Sequence, residues 1–163
     1  MRNRISLLCV GLSALAWAAG TSIAAGTHVI IANEDDPAPK WSYNGQKSPL
    51  ITVGDLKIGD VIDVQVPDTL QFPHGFVTIK TTPPPITPNE DLVMKCGETT
   101  TTKPNAVLKE DCAPGAQSQF GQPFTGSMKL IVLDKFKQDV PFWCVVHKGI
   151  MRGVLKLQAA KPK

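Results

Sequence analysis

The chain alternates between short apolar runs and polar punctuation. The runs fall at 28–32, 50–53, 61–66, 76–79, 128–133, 140–146 and 154–157, and Gly, Pro, Asp or Asn separate them. In 61–66 the alternation is open to view: Asp63 and Gln65 share one face and Ile62, Val64 and Val66 take the other. A period of two over so few residues predicts half-buried strands. Turn signals such as Ile58-Gly59-Asp60 between the runs predict a two-sheet sandwich or barrel. Beyond residue 26 no stretch carries apolar residues at helical spacing, and the 14 prolines oppose long helices.

One segment breaks this rhythm. Residues 81–126 open with Thr81-Thr82-Pro83-Pro84-Pro85, pass through the polar run 99–102 and keep Gly and Pro throughout. So long a connection in a compact domain needs an explanation. The expectation is an irregular surface loop, with room for a short helical turn at 88–94. No internal repeat is present.

The first 26 residues differ from the rest. Arg2 and Arg4 precede the apolar stretch 5–19, and Ser22, Ala24, Ala25 and Gly26 follow it. This is the order of a secretory signal. The stretch is short for a membrane helix, contains Gly11 and lacks a positive stop signal, so export to the periplasm is expected over stable insertion. Cys9 belongs to that leader. The expected organisation is a signal peptide at 1–26 and one domain at 27–163, a length that fits a single core. Lys and Arg number 17 against 14 Asp and Glu, and two of the 17 are Arg2 and Arg4. The exported part is therefore nearly balanced, which argues against nucleic acid as a partner.

Three cysteines remain after the leader: Cys96, Cys112 and Cys144. An oxidising compartment favours pairing. Cys96 and Cys112 share the irregular segment and are expected to close it as a disulfide. Cys144 is left over in an apolar run, as a reactive thiol or a metal ligand.

The chemistry concentrates around it. Phe142-Trp143-Cys144-Val145-Val146-His147-Lys148-Gly149-Ile150-Met151-Arg152-Gly153 places Cys, His and Met within eight residues between two predicted strands. His74, in Phe72-Pro73-His74-Gly75-Phe76, opens another strand far upstream. A thiolate and two imidazoles make a trigonal set, and a thioether adds a weak axial bond, the donor set of a blue-copper electron-transfer site. Taken singly, a strand Cys is usually a small buried hydrophobe, a Met gap filler and a His nothing special. Jointly, spacing, strand context and the odd cysteine favour copper. Zinc is the rival metal, and thioether sulfur suits it poorly.

These residues resemble the cupredoxins, in particular amicyanin and plastocyanin. Phe72-Pro73-His74 is similar to the Pro-His entry to the first plastocyanin ligand. Cys144-x-x-His147 has the spacing found in both, and Met151-Arg152-Gly153 before an apolar strand is similar to the end of amicyanin. The resemblance implies a Greek-key β-sandwich, one type 1 copper per chain, and His74, Cys144, His147 and Met151 as ligands. It departs in two places. The gap from His147 to Met151 is one residue longer than in amicyanin and one shorter than in plastocyanin. Gly75 stands where the family usually has a polar side chain.

The function this implies is one-electron transport as a monomer between redox proteins, such as a c-type cytochrome or a periplasmic oxidoreductase. The family implies His147 as the electron exit, with Phe72, Pro73, Val146, Gly149 and Ile150 around it and Lys148 and Arg152 to steer an acidic partner. The alternative is a copper carrier or homeostasis module with no shuttle duty. An enzyme is not expected: with three histidines in the chain, only His28 is left for a second copper centre. A Cys144–His147 hydrolase ranks low, because no third orienting residue is evident. A leader cut after Ala25 puts His28 third from a free amine, a Cu(II)-binding arrangement; the simpler expectation is that His28 opens the first strand.

Overall fold

A computed structural model describes residues 25–35, 37–80 and 85–159. The first 24 residues, and with them almost all of the expected leader, lie outside it. The described residues form eleven strands: β1 (Thr27–Asn33), β2 (Lys40–Tyr43), β3 (Gln46–Ser48), β4 (Leu50–Leu56), β5 (Val61–Val66), β6 (Val77–Thr78), β7 (Val93–Met94), β8 (Leu108–Glu110), β9 (Gly126–Val132), β10 (Val140–Trp143) and β11 (Arg152–Leu157). One sheet runs β3-β2-β1-β5-β9-β8-β7 and the other β4-β11-β10-β6. The two bury a single core between them, as the alternation predicts.

The period of two decides which side chains go inward. Ile30 and Ala32 of β1, Ile62, Val64 and Val66 of β5, and Met128, Leu130 and Val132 of β9 are all buried. From the facing sheet come Ile51 and Val53 of β4, Val140 and Phe142 of β10, and Leu155 of β11. Strand β4 breaks the period with a bulge. Val53 pairs with Leu155, but Leu56 pairs with Leu157, and Asp55 takes a left-handed conformation (φ 59°). The extra residue turns Leu56 back into the core, where it is fully buried. In β5 the polar pair becomes a local network: Gln65 Nε2 donates to Asp63, which also accepts from Ser127 Oγ.

Aromatic rings pack around Phe142 in the core. Trp41 of β2 meets Phe142 edge-on at 6.0 Å, and Phe76 stacks on Phe142 at 4.5 Å. Gly153, paired with Phe142 across β10–β11, makes room for that ring. A Cβ at Gly153 would lie 2.3 Å from Phe142 Cζ.

The 81–126 segment corrects the expectation of a surface loop. A 3-10 turn at Glu90–Leu92 does form, within the span where a helical turn had room. But β7 and β8 extend the larger sheet, and Val93, Val107, Leu108, Phe120 and Phe124 are core residues. Cys96 and Cys112 are disulfide-bonded and Cys144 is free and buried. The strands β2 and β3, absent from the expected set, form a hairpin turned by Asn44 and Gly45, both left-handed (φ 48° and 76°). That is the Asn-Gly turn of a two-residue hairpin.

At the end of the barrel where β5 begins, Asp60 ties the start of β1 to the turn before β5. It is buried and accepts the N–H of Gly26 (2.7 Å) and of Lys57 (2.8 Å), with His28 Nε2 at 3.0 Å. Burial alone would raise its pKa, but these donors outweigh it and hold the carboxyl below its ordinary range. A depressed carboxylate adds stability above its unfolded pKa and loses it as pH falls through the folded value. Asp60→Asn should therefore lower the denaturation midpoint at neutral pH, by about 1–3 kcal/mol in stability. It should also flatten the acid limb of the stability profile. Urea melts of both proteins between neutral and acid pH test this; parallel profiles would show that Asp60 is not the linked group.

Candidate metal centre

Strand ends at the opposite pole carry the candidate donors. Cys144 follows β10 directly and Met151 directly precedes β11. The β10–β11 ladder continues one rung past both strands, with Cys144 N–H donating to the Met151 carbonyl at 2.9 Å. The chain between them makes a tight turn closed on a single acceptor. The N–H groups of Ile150 (2.9 Å) and Met151 (3.1 Å) both donate to the His147 carbonyl. The three residues between His147 and Met151 thus fill one turn and return Met151 opposite Cys144. This resolves the odd spacing in the sequence.

His74 comes from the neighbouring connection after β5. It forms an isolated bridge with Phe124, whose N–H donates to the His74 carbonyl at 2.7 Å. The next residue explains the missing polar side chain. A Cβ on Gly75 would lie 2.4 Å from the Gln122 carbonyl oxygen and 2.4 Å from Val145 Cγ2. Two chain segments cross here, Val145 N–H donates to the Gly75 carbonyl at 3.3 Å, and only glycine fits.

The sulfur of Cys144 lies 3.6 Å from Nδ1 of His74 and 3.6 Å from Nδ1 of His147. The three donor atoms lie within 4.8 Å of one another. A metal bonded to thiolate at about 2.3 Å and to imidazole at about 2.0 Å sets such atoms about 3.5–3.7 Å apart at angles from tetrahedral to trigonal. The spacing therefore fits one first-row metal ion shared by all three. Cys144, His74 and Met151 are fully buried, while His147 is partly exposed. Met151 brings a thioether, not an ionisable donor, to the same buried pole.

Electrostatics agree with ligation by neutral rings. Burial pushes the His74 pKa down, and the nearby His147 adds to this against the opposing pull of Glu34. Burial lowers His147 as well, again against Glu34. Imidazoles that stay neutral keep a lone pair for a metal. Glu34 itself loses solvent, which raises its pKa, but the N–H groups of Gln71 and Phe72 and the His74 ring outweigh that and hold it low. No motif in the sequence pointed to Glu34; it lies just past β1, forty residues before the histidine it faces.

His28 stands elsewhere. Its Nδ1 is 2.8 Å from the Tyr43 hydroxyl and its Nε2 is on Asp60, so both ring nitrogens are engaged. It sits in β1, as the simpler expectation had it, and is not brought to the other two histidines.

No family profile matches the sequence, and no curated protein matches it. Among solved structures, the chain is similar to rusticyanin from Thiobacillus ferrooxidans, at 16% identity over 83% of this chain and 79% of that one, with a TM-score of 0.37. It is also similar to a multi-copper oxidase from Pseudomonas thermotolerans, at 15% identity over 85% of this chain, with a TM-score of 0.42. The chain spans only 31% of that oxidase. At such identities and scores a likeness carries nothing about the site, which stands on its own geometry. Two sheets around one core, with a thiolate, two imidazoles and a thioether at one pole, define a cupredoxin-like fold whose donor set resembles a type 1 copper site.

Gly75→Ala should destabilise the protein by about 1–3 kcal/mol, because Val145 can rotate away but the Gln122 carbonyl cannot. It should also weaken metal binding, since the crossing aligns His74 with Cys144. Denaturant midpoints with and without metal check both effects; wild-type values would mean that the crossing yields.

Proposed function

We propose that the chain is a blue copper protein that carries single electrons between redox partners outside the cytoplasm, with His74, Cys144, His147 and Met151 holding one copper. The observation that carries this reading is the spacing of one buried cysteine sulfur between two Nδ1 atoms, both at 3.6 Å. Bound there, copper supplies a one-electron couple between Cu(I) and Cu(II). The protein's part is to hold the donors still. Each ligand segment is fixed by backbone bonds and by the packed core, so a change of charge demands little movement. The buried donors keep water out, and partly exposed His147 offers the path for the electron.

The surroundings of His147 suit brief docking. Phe72 (54% exposed), Val146 (44%) and Ile150 (49%) are large apolar side chains open to solvent, and each lies in a segment that leads to a ligand. A small apolar contact permits fast exchange of partners. Lys148 and Arg152, exposed beside Cys144–Met151, would steer an acidic partner. A c-type cytochrome or a periplasmic oxidoreductase fits that description. Periplasmic export rests on the leader pattern and on the disulfide, which an oxidising compartment favours. Among the described residues no helix is long and apolar enough to cross a membrane. Handing copper to an acceptor would require ligand exchange, and three fully buried donors oppose it. That favours the shuttle over the carrier.

Copper-loaded protein should show intense visible absorption from thiolate-to-copper charge transfer. Cys144→Ser should abolish that band, since a hydroxyl cannot supply the thiolate. A loaded wild-type protein without the band would overturn the reading. Met151→Leu should keep copper and colour but raise the reduction potential, because losing a weak donor destabilises Cu(II) more than Cu(I). Voltammetry at one pH, with copper content measured, decides: an unchanged potential removes Met151 from the ligand set.

A further inference from the structure

One side of the His74 ring faces the sulfur, and the other side has no hydrogen-bond partner. Nε2 is buried and unpaired, and the side chain is fully enclosed. Its nearest charged group is Glu34, whose Oε1 lies 3.6 Å away. Glu34 is not a free surface carboxylate. Its two oxygens accept the N–H groups of Gln71 (2.7 Å) and Phe72 (2.8 Å). Those residues lead straight into His74, so the carboxylate is pinned to the segment that delivers the ligand.

The chemistry of the ring makes this contact directional. A neutral imidazole that gives Nδ1 to a metal carries its proton on Nε2. Here Nε2 faces a carboxylate 3.6 Å away whose two oxygens are fixed by two backbone N–H groups. The residue after His74 cannot help, because the crossing at Gly75 leaves no room for a side chain. The support comes instead from the residue that follows β1.

We propose that Glu34 is the positioning residue for His74: its carboxylate accepts a hydrogen bond from Nε2–H, fixes Nδ1 as the metal-facing nitrogen, and places a negative charge behind the ligand that favours Cu(II) over Cu(I). Carboxylate–histidine–metal arrangements of this kind orient the ring and raise its basicity. The redox half of the proposal rests on the copper reading of the site; the orienting half concerns the protein alone.

Two measurements test it. In metal-free wild-type protein labelled with ¹⁵N, long-range imidazole correlations above neutral pH should show His74 protonated on Nε2 and bare on Nδ1. In copper-loaded protein, Glu34→Gln keeps the shape and one acceptor but removes the charge. Its Cu(II)-to-Cu(I) affinity ratio should fall at least about tenfold, which is a rise of about 59 mV in potential. Glu34→Asp, which keeps the charge, should stay closer to wild type. A mere loop staple would leave the potential where it was. An Nδ1-protonated His74, or an unchanged potential in a blue Glu34→Gln protein, overturns the proposal. A colourless copper-loaded wild type would instead sink the copper reading, and the tautomer would then decide the role of Glu34. The tautomer also decides if Glu34→Gln does not fold.

Discussion

The bond from Cys144 N–H to the Met151 carbonyl is the interaction on which the site depends. It is the last rung of the β10–β11 ladder, made after both strands have formally ended. Above it the chain is irregular, and below it side chains interlock with the facing sheet. The rung fixes two donors from opposite sides of one hairpin, and the turn closed on the His147 carbonyl delivers a third. Only His74 must arrive from elsewhere, and it does so on a bridge to Phe124. A thiolate buried here would need a cation paired with it, so the donors must be held where one ion can reach them all. Here the fixing is done by main-chain bonds, which do not vary with side-chain rotamers.

The two poles of the barrel solve the problem of buried charge in different ways. At one, Asp60 gathers backbone donors and a histidine, and its charge is met within the protein. At the other, the donors of Cys144, His74 and His147 converge with no cationic side chain among them. Such a set offers lone pairs that one cation can satisfy together, whereas the first pole already meets its charge within the protein. His28 illustrates the contrast. It has the same ring as His74, but Tyr43 and Asp60 use both nitrogens and leave none for a metal.

Much of this was legible in the sequence because it depends on local pattern. The period of two in 61–66 gave the inward face of β5. The odd cysteine and the His147–Met151 cluster pointed to the hairpin that brings Cys144 and His147 beside His74. The Asn44-Gly45 turn was present to be read but sits between runs too polar to register as strands. Residues 81–126 misled for a physical reason. Leu108 and Val93 are core residues, but each lies in a strand of only two or three residues, too short for alternation to emerge. Glu34 left no trace at all, since its place beside His74 comes from parallel pairing of β1 with β5, which brings two distant strand ends to the same pole.

The crossing at Gly75 alters the status of the long connection. Residues 120–124 lie against His74 and Gly75, so one stretch of the disulfide-stapled segment forms a wall of the site. The exposed turns at 99–105 touch nothing of the kind. Tolerance to insertion, deletion and sequence drift should therefore divide within a single connection: permissive at its outer turns, and as restricted near Gln122 as in the ligand hairpin itself.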